Sequence, residues 1–134
     1  MNRLLYTLLL HLALPLIALR LALRARKAPA YARRIHERFA LGLPPMKPGG
    51  IWVHAVSVGE SIAAAPMIRA LQANYPELPI TVTCMTPTGS ERIQALFGDS
   101  VQHCYLPYDL PWAAARFINR VQPRLAVVME TELW

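Results

Sequence analysis

Hydrophobic and polar positions divide the chain into two regimes. Residues 4–19 (LLYTLLLHLALPLIAL) form an uncharged, leucine-rich run, and twenty residues to Leu23 are broken only by Arg20. This pattern predicts an apolar helix. At 1.5 Å per residue it reaches about 24–30 Å, close to the thickness of a bilayer core. Pro15 would kink it, which membrane helices tolerate. From Ile51 the pattern changes to short β-branched runs alternating with helical spacing. Residues 51–56, 80–85, 101–106 and 125–130 read as strands. Residues 62–74, the segment from 86–89 to Phe97, and 111–121 read as helices. Gly98 stops the second of these, and Asp109 or a neighbour is expected to cap the third. Strands alternating with helices predict an α/β fold with a Rossmann-like parallel sheet. Residues 41–50 (LGLPPMKPGG) carry three prolines and three glycines and read as a linker. The expected organisation is thus a membrane-anchor helix with a basic juxtamembrane segment (1–40), a linker (41–50) and a globular unit (51–134). That unit stops directly after a strand, so a longer protein is expected.

Charge sharpens the first regime. The net charge of +6 lies in residues 1–38, which hold eight cations against Glu37, whereas residues 39–134 are near neutral. Arginines directly following an apolar run keep that side cytoplasmic and attract anionic lipid. They also oppose a cleaved signal peptide, and a buried core helix is the other alternative. Nucleic acid is a poor fit, because no aromatic stacking platform accompanies the cations. Cys84 and Cys104 fall in apolar runs and read as buried free thiols. No His/Cys cluster has metal-ligand spacing, so no metal or other cofactor is expected.

Candidate chemistry gathers where strands end, the edge at which open α/β sheets bind ligands. Glu60 closes the run His54–Glu60 (HAVSVGE). Ser57 and Glu60 fit a capping box, and the same carboxylate at a helix N-terminus could serve as a general base. Gly59 allows a tight turn or close approach of a ligand. His54 reads as a satisfied core histidine. Thr86, Thr88, Gly89 and Ser90 (within TPTGS) offer hydroxyls and amides at a helix start, either as caps or as an anion site. Glu130 and Glu132 would share a face at the end of the fourth strand.

Four runs in this order, HAVSVGE, TVTCMTPTGSER, YLPYDLP and METELW, with the N-terminal RLLYTLLLHLALPLIALRLALRARKAPAY, resemble the 3-deoxy-D-manno-octulosonic acid (Kdo) transferase family across the whole chain. The resemblance implies the N-terminal, acceptor-side half of a GT-B glycosyltransferase at the cytoplasmic face of the inner membrane. It implies metal-free, inverting transfer of Kdo from a CMP-Kdo donor to a lipid A precursor (lipid IVA) in lipopolysaccharide assembly. It further implies that Glu60 is the general base and that Glu130 stabilises the transition state. Ser57, Gly59, Thr86, Thr88, Gly89, Ser90 and Glu132 would bind substrate. The donor site would lie in later sequence, so the 134 residues alone are expected to be inactive. Another GT-B enzyme with a lipid-linked acceptor, or a non-catalytic membrane-bound acceptor module, are the rival readings.

Overall fold

The computed structural model describes residues 2–129. Four strands, β1 (Ile51–His54), β2 (Ile80–Cys84), β3 (Gln102–Tyr105) and β4 (Leu125–Val128), form one parallel sheet in the order β3-β2-β1-β4. Helix α1 (Arg3–Lys27) precedes it, and α2 (Val58–Asn74), α3 (Pro87–Phe97) and α4 (Pro111–Val121) connect the strands. The strands are each a residue or two shorter than their apolar runs. Helix α2 begins four residues earlier than expected, because Val58, Gly59 and Glu60 enter the helix without contributing to its apolar spacing.

The strand register sorts side chains onto two faces. Ile51 and Val53 of β1 align with Ile80 and Val82 of β2. They pack with Ala64, Ile68 and Ile93 of α2 and α3. The opposite face presents Trp52 and Cys104 to Leu110, Ala113, Phe117 and Val121. Both central strands are therefore covered on each side, which explains their continuous hydrophobicity. Thr81 and Thr83 are buried on the α4 face. Each hydroxyl is satisfied: Gln102 Nε2 donates to Thr81 at 3.0 Å, and Trp52 Nε1 donates to Thr83 at 2.9 Å. The two cysteines are free and buried, as the sequence indicates, and burial pushes the Cys84 thiol up to about 12.

Two segments carry contacts that their sequence does not indicate. In residues 41–50, Leu43 is buried and Met46 packs on the α4 cluster. Asp109 does not cap α4. Leu110 occupies the cap position without a side-chain bond, and the Asp109 carboxylate accepts from Tyr6 Oη at 2.9 Å.

The sheet's amino end is crowded at Gly50. A Cβ there would lie 1.7 Å from the Pro79 carbonyl oxygen, while the neighbouring Ile51 amide donates to that oxygen at 2.9 Å. No side-chain rotation can relieve a clash between two backbones. Gly50→Ala should cost about 3 kcal/mol, measured by urea unfolding. A loss within experimental error would show that β1 and β2 can separate there without penalty.

Candidate functional site

In the order β3-β2-β1-β4 the chain builds outward from β1 to β3 and then returns to the other side of β1. The reversal falls between β1 and β4, and open sheets of this type bind ligands outside the carboxyl ends at that point. Hydrogen bonds beyond the strands fix the loops there. Met85 N donates to Val56 O at 3.0 Å, and Met129 N donates to His54 O at 2.9 Å.

Glu60 stands at this edge in the first turn of α2, partly buried. Its Oε2 accepts from the Val56 amide, and its Oε1 accepts from Ser57 Oγ at 3.2 Å. This is a modified capping box. In the usual form the glutamate returns to the cap residue's own amide, and the cap hydroxyl accepts from the helix. Here the carboxylate reaches one residue further back, and the Ser57 hydroxyl caps no helix amide. The carboxylate is fixed by its second oxygen while the first faces only a serine hydroxyl.

Gly59 is exposed in the same turn. It has no positive φ, and nothing lies within 4 Å of a Cβ built on it. The tight turn expected of this glycine is thus not what the backbone requires. His54 is buried, with Nδ1 at 2.9 Å from Thr83 Oγ1, as a core histidine should be.

The TPTGS loop adjoins Ser57. Thr86 caps α3 by accepting from Gly89 N at 3.1 Å, and Thr88 is exposed. A Cβ on Gly89 would lie 2.9 Å from Thr86 Oγ1 and 3.4 Å from the Ser57 carbonyl carbon, so glycine lets the two loops touch. Ser57, Glu60, Thr86 and Gly89 are therefore brought together at one edge. Ser90 is not part of that surface. It is 6% exposed and turned inward, which corrects its assignment as a ligand-facing hydroxyl. Glu130 and Glu132 lie outside the described residues.

Ser90 belongs to a cluster that the sequence did not indicate. Arg34 grips Glu37 with two nitrogens, Nε to Oε1 at 3.0 Å and Nη2 to Oε2 at 2.8 Å. Its Nη1 donates to Ser90 Oγ at 2.8 Å, and Ser90 lies 2.7 Å from His103 Nε2. His103 Nδ1 is 2.7 Å from the Val82 carbonyl, so Nδ1 carries the proton and Nε2 accepts from Ser90. Glu37 also accepts from Tyr105 N at 3.0 Å. Arg38 is 3% exposed, donates to Met85 O at 3.0 Å and stacks on Tyr105 at 4.3 Å. Arg34 stacks on the same ring at 4.6 Å. Burial opposes the Arg34 charge, but its bonds to Glu37 outweigh that and raise its pKa. Arg34 therefore does not join the lipid-facing cations to which its position in the sequence assigned it, and Arg38 is buried beside it. They pin residues 34–39 to the carboxyl ends of β2 and β3. The available signal was a lone glutamate, three residues after Arg34, in an otherwise acid-free segment.

Comparison with known proteins places this arrangement in context. Residues 33–134 match the sequence pattern described as 3-Deoxy-D-manno-octulosonic-acid transferase (kdotransferase). The whole chain aligns at 54% identity with a 3-deoxy-D-manno-octulosonic acid transferase of Haemophilus influenzae, covering 32% of it. It aligns at 38% identity, again over its whole length, with the enzyme of that name from Bordetella pertussis, covering 33%. Over 90% of its length it is 36% identical to a probable mitochondrial 3-deoxy-D-manno-octulosonic acid transferase of Arabidopsis thaliana, covering 27% of that protein. The chain thus spans about a third of the length of these curated relatives.

The two imidazoles that support the edge give it a pH dependence. Burial lowers the pKa of both His54 and His103. The unfolded chain then takes up protons near pH 6.5 while the folded chain resists them. The sign follows: stability is full above about pH 6.5 and falls as pH drops below it. The thermal midpoint should decline between pH 7.5 and 5.5, before ordinary carboxylates titrate. A flat midpoint over that range would contradict the buried neutral state of these rings.

Proposed function

Because the chain belongs to the 3-deoxy-D-manno-octulosonic acid transferase family, we propose that it forms the acceptor side of an enzyme that moves Kdo from CMP-Kdo to a lipid A precursor. The supporting observation is Glu60. It is a carboxylate held through the Val56 amide beside the strand-order reversal of a parallel sheet. Attack on the Kdo anomeric carbon requires the acceptor hydroxyl to lose its proton. Glu60 takes that proton as the new C–O bond forms, and the bond to CMP breaks with its electron pair leaving on the phosphate. Attack opposite the leaving group inverts the anomeric centre. On this reading the metal-free chemistry needs no other base on the acceptor side, and Glu130 stabilises the charge that develops. Ser57, Thr86, Thr88, Gly89 and Glu132 line the acceptor site. Ser90 acts behind it by orienting Arg34.

Gly59 fits the same reading. Glycine in a helix costs about 1 kcal/mol relative to alanine. The fold requires it neither by φ nor by crowding, so its use is explained if the acceptor passes directly over this turn. The sheet would be half of a GT-B enzyme, with the donor bound by a second half. The apolar α1 and the exposed cations that follow it support a location on the cytoplasmic face of the inner membrane, where a lipid-linked acceptor would be available.

Two variants of the active transferase test this. Glu60→Gln keeps an oxygen for the Val56 amide, so it should melt within about 1 kcal/mol of the parent. Its turnover should fall by about 10²–10⁴. Near-parental turnover, read with CMP-Kdo and the lipid acceptor, would remove Glu60 from the mechanism. Gly59→Ala should raise stability by roughly 0.5–1 kcal/mol yet weaken acceptor use. Unchanged kinetics would show that nothing passes over the turn.

A further inference from the structure

Helix α1 has two unlike faces. Tyr6, Leu10, His11, Leu14, Ile17 and Leu21 recur at spacings of one, three and four residues, and all are shielded from solvent in part or in full. Tyr6 donates to Asp109 on the β3–α4 loop at 2.9 Å, and Trp112 Nε1 donates to His11 Nε2 at 3.4 Å. Leu10 and Leu14 pack on the cluster built around Phe117 and Leu110. The other face presents Leu4, Leu8, Leu12, Leu16, Leu19 and Leu23, each more than half exposed. Between Leu4 and Leu19 the polar side chains are Tyr6, Thr7 and His11, and all three lie on the sheltered side. The outer face between Leu4 and Leu19 is hydrocarbon alone.

We propose that α1 lies in the plane of the membrane rather than crossing it, with its leucine row in the acyl region of an anionic leaflet and both its ends on one side. This rests on the membrane association proposed above and specifies its geometry. Tyr6 and Leu14 touch the same globular unit although eight residues separate them, about 12 Å along the axis. The helix therefore runs along that unit and does not project away from it. To span a bilayer while keeping these contacts, it would draw the β3–α4 loop, with its polar backbone and Asp109, into hydrocarbon. Lying flat, it keeps the polar side chains between Leu4 and Leu19 on protein and its exposed leucine row in lipid. A second copy is a poor occupant for the leucine face. Arg3, Arg20, Arg24, Arg26, Lys27 and Arg33 are all exposed, and residues 3–33 contain no acid, so two such faces repel. Anionic head groups are attracted by the same cations.

Thiol labelling of the intact protein in sealed membrane vesicles tests the geometry. The native Cys84 and Cys104 are buried, so a single introduced thiol reports its own position. Asn2→Cys marks the start of α1, and Glu91→Cys marks the exposed surface of α3. With a membrane-impermeant maleimide, both should react from the same side. Reaction from opposite sides, with the protein still in the membrane pellet, would show a spanning helix and overturn the proposal while leaving membrane association intact. Protein recovered in the supernatant would instead overturn membrane association itself. Leu12→Asp gives a second readout. It should leave the melting temperature unchanged and weaken binding to phosphatidylglycerol-containing vesicles by about tenfold. Unchanged vesicle binding would show that the leucine row does not enter the lipid.

Discussion

The central strand β1 is the element on which the rest depends. It is hydrogen-bonded in parallel to β2 on one edge and to β4 on the other, and the strand order reverses beside it. Its carboxyl end therefore opens where the sheet's connections diverge, and it leads directly into α2. The Val56 amide beyond the strand donates to Glu60 within the helix, so the turn and the carboxylate fix each other. Placing the acid and closing the strand-to-helix junction are the same interaction. The geometry is compatible with both a capping glutamate and the proposed base: one oxygen serves the backbone, and the other meets only the Ser57 hydroxyl.

Around this junction the molecule recruits parts from distant sequence. Gly89 lets the loop after β2 touch the loop after β1. The Arg34–Glu37 pair ties residues 34–39 to Ser90, His103 and Tyr105, across the carboxyl ends of β2 and β3. With Glu37 buried and Arg34 half-buried, such a pair is a weak source of net stability, but removing Arg34 would leave the buried carboxylate without its cation. Its role is to fix where the segment between α1 and the sheet crosses the edge. The segment that follows α1 is therefore tied to the sheet beside the candidate site.

Much of this was legible in the sequence because local signals agreed. Proline at the start and glycine at the end delimit α3, and Pro111 opens α4 as expected. The β-branched runs found all four strands and the parallel sheet. The failures have one physical origin, which is that the partner lies far along the chain. Arg34 and Arg38 look like surface cations until Tyr105 and Ser90 are brought to them. Asp109 looks like a cap until Tyr6 arrives from 103 residues away. Ser90 looks like a ligand hydroxyl until His103 is folded beneath it. The sidedness of α1 was hidden for the same reason, since its face is set by three polar residues in a leucine background.

The claim that Glu60 is both the tie and the base is tested most directly by a structure of the transferase carrying Glu60→Gln with its lipid acceptor bound. The expected result has the attacking hydroxyl within about 3.2 Å of the residue 60 side chain, on the amide nitrogen that replaces the oxygen not used by Val56. An acceptor hydroxyl paired with a different carboxylate or imidazole, with residue 60 touching only Val56 and Ser57, would contradict it.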